Sequence, residues 1–359
     1  MEFVFTEDQE LLQQTVRDFL EGECTVEHVR AMWETDTGRS PEFWQKFAEI
    51  GVPGLLVPDE HGGLGMNEVD MILVLEETGR AALAEPVIHT AFVGVPLLVE
   101  SGAAAHPSAA AIAKEWLPRV AAGEAILSVG HDQSPFVSDA QIADLLLLAS
   151  GDALHAVPRS DVELTAQPAN DPAKRIFSVE WTPSDATLLA DGESGARLQA
   201  AAFDRGALAC SAQLLGTSER LIEMAVLYAT QRKQFGVPIG SFQAVKHMLA
   251  NEKVKVEYAR TLVYRAAYSV AHAAASRSTD VSMAKIAAGE AAVSIAKTAL
   301  QVHGALGYTW EQDLHVWMRR AWSLDASWGS LAHHRARLAK AVIDGSSPAV
   351  SFGYEAPAA

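Results

Sequence analysis

FQAVKHMLANEKVKVEYARTLVYRAAYSV, residues 242–270, sets the architecture. Phe242, Val245, Leu249, Val256, Ala259, Val263, Ala266 and Val270 keep to three- and four-residue spacing, with Glu252 the one interruption. That period lines one helix face with apolar side chains, and so long a stripe is the core seam of a helical bundle. A second long pattern, from about Ser282 to Leu300, carries alanine at many positions, where small side chains let helices approach closely. From about residue 200 onward the chain therefore reads as a bundle.

Upstream the texture changes. Ala125–Val129 and Ala143–Ala149 are short apolar runs bounded by Gly, Pro, Asp and Ser, and Arg175–Trp181 alternates polar with apolar residues. These are strand signals, in a compact segment of roughly 124–190. The first hundred residues are helical again. Thr6 with Gln9 and Glu10 marks a helix start, and Ser40 with Pro41 opens a second helix that carries Phe43, Trp44, Phe47 and Ile50. A turn-rich passage from Val57 to Gly65 leads to a further helix over about Asn67 to Gly79. The expected fold is mainly α with a small β domain. It comprises an N-terminal helical domain over 1–123, a reduced central β domain over 124–198 and a C-terminal four-helix bundle over 199–359.

Composition narrows the function. The 359 residues carry 28 basic and 45 acidic side chains, a formal net charge of −17. Nucleic acids and anionic membranes are gripped by clustered Lys and Arg, so neither is an expected partner. At 49% hydrophobic and 20% charged, the chain is globular, not disordered. The longest apolar candidate for a membrane span, Pro86 to Val99, is short of the ~18 residues required and holds His89 and two prolines. An acidic N-terminus and two isolated cysteines, Cys24 and Cys210, speak against a signal peptide, a disulfide framework and a metal spacing. A cytoplasmic location is expected.

Three stretches stand out: Tyr228–Gly236 (YATQRKQFG) with Pro238–Gln243 (PIGSFQ), Gln301–Thr309 (QVHGALGYT), and Pro58–Gly65 (PDEHGGLG). Arg232 closes a helix beside a glycine turn, which gives a fixed guanidinium able to grip phosphate bidentately. Gln234 adds amide donors and acceptors, and Phe235 an apolar ring face. Gly304 and Gly307, following Gln301, let backbone amides approach a pyrophosphate, as at helix-start anion sites. These features suit a dinucleotide.

In this order, and on this three-part architecture, the stretches resemble the acyl-CoA dehydrogenase family over nearly the whole chain. The resemblance implies FAD-dependent α,β-dehydrogenation of an acyl-CoA thioester, with an electron-transfer flavoprotein as acceptor. It further implies that Arg232, Gln234, Phe235, Gln301, Gly304 and Gly307, with Gln243 as a lesser contact, touch an FAD held mainly by a neighbouring subunit. Assembly would be a tetramer of two dimers.

The same resemblance exposes losses. The family's usual glutamate base lies about twenty residues past the Gln-x-x-Gly segment, and with Gly329 in register its place is taken by Trp328. The other position used for the base, on the helix after the β domain, holds Gly206. Neither residue can remove a proton. Asp325 and Asp204 are the nearby acids that could substitute, against the commoner use of such residues at surfaces and helix ends. The β segment is reduced too: Ser128–Asp139 stands for the loop that covers the flavin in the family, and roughly a strand and hairpin are missing before Ala143.

An intact outward half-site beside a degraded inward one resembles the second subunit of actinobacterial α2β2 acyl-CoA dehydrogenases, which are associated with breakdown of steroid and other bulky acyl-CoAs. On that reading this chain completes the FAD site of a catalytic partner. A self-sufficient homo-oligomer with an unusual base and a flavin-free scaffold are the alternatives. No metal is expected, since His333 and His334 are adjacent on one predicted helix and face different sides. His303 is read as structural, and Trp310, Trp317, Trp322 and Trp328 as packing residues, with Trp328 filling the former substrate cavity.

Overall fold

The computed structural model describes residues 4–103 and 106–345. The expectations placed on residues 1–3 and on 346–359, the tail of the third domain, lie outside the described residues.

Helix α1 (Glu7–Glu23) starts with a closed capping box: Thr6 Oγ1 accepts from the Gln9 amide at 3.2 Å, and Gln9 Oε1 from the Thr6 amide at 2.9 Å. After α2 (Val26–Trp33), α3 (Pro41–Glu49) is capped by Ser40 and buries Phe43, Trp44 and Phe47. Helix α4 (Glu68–Arg80), capped by Asn67, is buried along most of its length. The apolar run that follows is itself helical: a π-helical segment, Ile88–Gly94, passes directly into α5 (Val95–Gly102), and α6 (Pro107–Ala121) completes the unit.

The β segment forms two small sheets. Strands β1 (Leu127–Val129), β3 (Leu145–Ser150), β4 (Ala153–Pro158) and β7 (Leu188–Ala190) lie in the order β1-β3-β4-β7, and β2 (Val137–Ser138), β5 (Glu163–Gln167) and β6 (Ile176–Glu180) in the order β2-β6-β5. The unbroken leucines of β3 follow from burial on both faces. Leu145 and Leu147 enter the main core, while Leu146 and Leu148 join Val137 and Val157 in a second cluster.

Helix α7 (Gly192–Gln231) spans 40 residues and begins ahead of the boundary expected at 199, because the chain enters it at Asp191 directly after β7. A hairpin of β8 (Lys233–Gln234) and β9 (Val237–Pro238) leads into α8 (Gln243–Ala271), α9 (Arg277–His303), α10 (Leu314–Ala326) and α11 (Leu331–Ile343). Helices α7 to α10 pack as the bundle, and α11 lies on α9. Glu252, the interruption in the α8 stripe, has a purpose there: Oε1 accepts from Ser294 Oγ and Thr298 Oγ1 on α9, both at 3.0 Å. No helix of the described residues is long and apolar enough to cross a membrane.

Candidate functional site

Two places compete for the role of site, one on the outer edge of the bundle and one between bundle and β sheets.

The outer edge is built where α7 stops. Arg232 is its C-cap, with its amide on Tyr228 O at 2.8 Å and its carbonyl accepting from Ile239 N at 2.8 Å, so the hairpin folds back over the helix end. The hairpin turn requires two left-handed residues, Phe235 (φ 53) and Gly236 (φ 83). Glycine adopts this conformation freely; a phenylalanine does not, and here the ring is 92% exposed. Across from the hairpin, α9 ends at His303, whose Nδ1 lies 2.8 Å from Ala299 O and whose ring stacks on Tyr228 at 4.3 Å. Burial lowers the His303 pKa, which keeps the ring neutral.

Arg232, Gln234 and Gly304 thereby line one cleft of about 350 Å³, with Tyr228 and His303 as its aromatic side. Arg232 is exposed and makes no ion pair with any described residue. Gly304 closes α9 and at the same time opens the short 3-10 helix Gly304–Tyr308, so the amides available are those of that helix. Gly304 (φ 60) has open space where a side chain would be, but Gly307 is buried, its Cβ position 3.0 Å from His303 Cβ and Leu300 Cδ1. Gly307 is thus a packing residue behind the cleft. Phe235, Gln243 and Gln301 are exposed beside it but do not line it. Tyr228 and Ile239, which do, carried no signal in the sequence beyond lying next to Arg232.

Inside, packing leaves little room beside Trp328. After α10 the chain turns through Trp328 (φ 53) and Gly329 (φ 88) into α11. Lys285, fully buried on α9, donates to Asp325 O at 2.8 Å, Leu324 O at 3.0 Å and Gly329 O at 3.4 Å. His334 Nε2 is 2.9 Å from Trp328 O. Held in this way, the Trp328 indole is 2% exposed, stacked on His131 at 4.3 Å with His89 at 5.5 Å. Burial drives His131 and His334 down to about 4 and His89 to about 3, so all three are neutral near pH 7. Gly206 on α7 faces the indole directly: a Cβ there would stand within the ring.

Beside Trp328 lies a chamber of about 70 Å³, room for roughly two waters. Its walls are ionic. Arg39 pairs with Asp139, Arg320 with Asp171 at 2.6 Å, and Lys174 donates to Ser327 Oγ. Glu85, also on this wall and raised to about 7 by burial, is an acid the sequence reading passed over. A second cleft of about 260 Å³ lies on the far side of His131 and Phe203.

Neither substitute base reaches either space. Asp204 is 1% exposed and is held by Arg337 at 2.7 Å and Ser278 Oγ at 2.7 Å. Asp325 turns toward α9, where a Cβ on Gly289 would stand 2.5 Å from its Oδ1, and burial raises its pKa. Trp317 packs with Nε1 on Arg80 O at 2.8 Å, whereas Trp310 and Trp322 remain exposed. Among the described residues no group of three or more His, Cys, Asp or Glu is arranged to hold a metal ion.

Known proteins share this fold. Residues 6–124 match the profile of the acyl-CoA dehydrogenase N-terminal domain, and 193–343 that of the acyl-CoA dehydrogenase C-terminal domain. The acyl-CoA dehydrogenase IpdE2 of Mycolicibacterium smegmatis is 34% identical over 319 residues, covering 88% of this chain and 93% of that protein. Its Mycobacterium tuberculosis counterpart is 31% identical over 318 residues, covering 88% and 91%. In fold, the chain is similar to the ChsE4-ChsE5 complex from Mycobacterium tuberculosis, with a TM-score of 0.83 at 24% identity over 96% of this chain and 99% of that one. It is likewise similar to butyryl-CoA dehydrogenase from Megasphaera elsdenii, with a TM-score of 0.83 at 20% identity over 96% and 100%. With matched segments at both ends, a third of the residues shared with one relative and the same fold throughout, the chain belongs to the acyl-CoA dehydrogenase family.

Proposed function

We propose that this chain is the partner subunit of an FAD-dependent acyl-CoA dehydrogenase, completing the cofactor site of a catalytic subunit without a base of its own. The observation that carries the reading is the contrast in room: about 350 Å³ beside Arg232 and Gly304, against about 70 Å³ beside Trp328 and about 260 Å³ beyond His131. A ligand of cofactor size needs several hundred Å³. The residues fit one arm of a dinucleotide at the outer edge and do not fit a flavin ring inside.

At the outer edge Arg232 offers a guanidinium that no described carboxylate neutralises, suited to a bidentate grip on pyrophosphate oxygens. Gln234 orients the group by its amide, and the open Gly304 lets backbone come close. Phe235, Gln243 and Gln301 extend the contact beyond the cleft toward the subunit that holds the flavin. When bound, the cofactor supplies the acceptor for the hydride leaving the β-carbon. The α-proton requires a carboxylate, which on this reading belongs to the partner. A bulky or steroid acyl-CoA is the substrate class, an electron-transfer flavoprotein the acceptor, and the cytoplasm the location. The complex named for ChsE4 and ChsE5 and the Tcur3481-Tcur3483 steroid enzyme, similar in fold, support a heteromer.

Co-expression with a family member from a neighbouring gene tests this. A yellow α2β2 complex with about one flavin per two chains is expected. A homo-oligomer with one FAD per chain and turnover would overturn the reading. Protein that remains colourless with every partner would point to the flavin-free scaffold.

A further inference from the structure

We propose that Trp328 is an internal ligand: its indole occupies a ring-shaped binding chamber, and Gly206 is the residue that admits it. The chamber exists apart from the tryptophan's own backbone. Its walls are the His131 ring, stacked at 4.3 Å and inclined by 22°, the His89 ring at 5.5 Å, Phe203 at 6.3 Å, and the bare face of α7 at Gly206. These walls come from three separate segments, the π-helical run, the loop after β1 and α7, so they outlast removal of the indole.

The fit is reciprocal. An alanine in the middle of a helix is better than glycine when nothing opposes it. At 206 something does, because the Cβ would overlap the indole. At 328 the cost is in the backbone, where a bulky residue is held at φ 53. Lys285 and His334 are the positioning residues, since they bind the carbonyls of the turn and not the ring.

The indole is also a partition. Trp328 lines the chamber of about 70 Å³, while His131 and Phe203, on which it rests, line the cleft of about 260 Å³. Deleting the ring joins the two through a space the size of an indole. The ring's own space is bounded by the neutral imidazoles of His131 and His89, each with an Nδ1 that has no hydrogen-bond partner among the described residues, and so suits an uncharged heteroaromatic ring with an N–H. The inference concerns this chain's own interior and does not depend on the partner reading.

The test uses the full chain with Trp328→Gly, which empties the ring's space in a residue that adopts φ 53 without strain. Melting temperatures are measured with and without free indole. The variant should melt lower than wild type and recover several degrees at millimolar indole, while wild type should not respond. A second measurement holds even where Trp328→Gly folds poorly: Gly206→Ala is introduced into wild type and into Trp328→Leu. It should lower the melting temperature in wild type and leave it unchanged or raise it beside leucine. Equal lowering in both backgrounds, or an indole response shared by wild type and Trp328→Gly, would overturn the proposal.

Discussion

Phe235 and Trp328 adopt the same unfavourable backbone angle, φ 53, and lie at opposite ends of the range of burial, 92% against 2% exposed. Strained residues persist where their surroundings over-determine them. For Trp328 the surroundings are present in this chain: Lys285 and His334 on the turn, His131 on the ring. For Phe235 they are not, since among the described residues its ring meets only the partly exposed Phe242, at 6.1 Å. The Trp328 turn is held from within this chain, whereas the Phe235 ring faces solvent.

The sharpest way to break this contrast is to attack the interior's ion pairs. Asp171 and Arg320 are both buried and joined at 2.6 Å, and Arg320 also donates to Leu83 O. Removing one partner of a buried pair leaves the other uncompensated, at a cost of about 3–5 kcal/mol. Asp171→Ala should therefore shift the urea midpoint strongly downward. A change of under about 1 kcal/mol would mean that solvent screens this pair as it does one at the surface.

The outer edge should respond in the opposite way. Arg232→Ala is expected to leave chain stability within about 0.5 kcal/mol, because the side chain is exposed and unpaired. In a co-expressed complex it should lower flavin retention by at least about tenfold, ~1.4 kcal/mol, the smaller part of what a charge-assisted contact contributes. Flavin content after gel filtration is the measurement. Full occupancy in the variant would remove Arg232 from the cofactor's reach.

The sequence made these two regions unequally legible. The bundle could be read because its apolar period repeats over the whole of α8, and the outer motif because Arg232 and Gln234 lie two residues apart. The strands β4, β5 and β7 could not. β5 reads Glu163–Gln167, mostly exposed, and β4 is buried through its middle, so neither gives a clean alternation. Asp171 and Arg320 are 149 residues apart, a pairing no local pattern announces. Gly206 was visible only as an absent base, and Trp328 as an absent base and a filler of the former cavity; that the two meet in one space is a property of the fold. That Gly304 both closes α9 and opens a short 3-10 helix was not legible either, because the glycine pattern alone does not tell a helix end from a helix start.

Acid offers a finer probe. His131, His334 and His89 have folded pKa values of about 4, 4 and 3, below their ordinary value near 6.5. Above pH 6.5 both folded and unfolded forms are neutral and nothing is lost. As pH falls below that, the unfolded chain binds protons first, and each such histidine removes about 1.4 kcal/mol of stability per unit. Glu85 and Glu76, raised to about 7, act in the reverse sense between about 7 and 4.5. A comparison of wild type with His131→Phe, which keeps the stack on Trp328, isolates one group. The variant's stability should fall less steeply between about pH 6 and 4.5, by close to one proton. Equal slopes would place His131 in contact with solvent.

The smallest effect should come from Phe235→Gly, and its smallness is the point. Glycine relieves the left-handed strain in the hairpin but increases the freedom of the unfolded chain, and these contributions are each about 0.5–1 kcal/mol and opposed. The isolated chain should therefore melt almost as wild type does. Trp328→Gly makes the same backbone relief and also empties a packed chamber, so it should melt far lower. The pair thus separates strain from packing at matched φ. In the complex the ranking sharpens further: Phe235→Gly should raise the dissociation constant for the partner subunit in sedimentation, because the ring can be covered only there. If Phe235→Gly weakens the lone chain as much as Trp328→Gly does, the exposed ring has an intramolecular partner and the outer edge is not open.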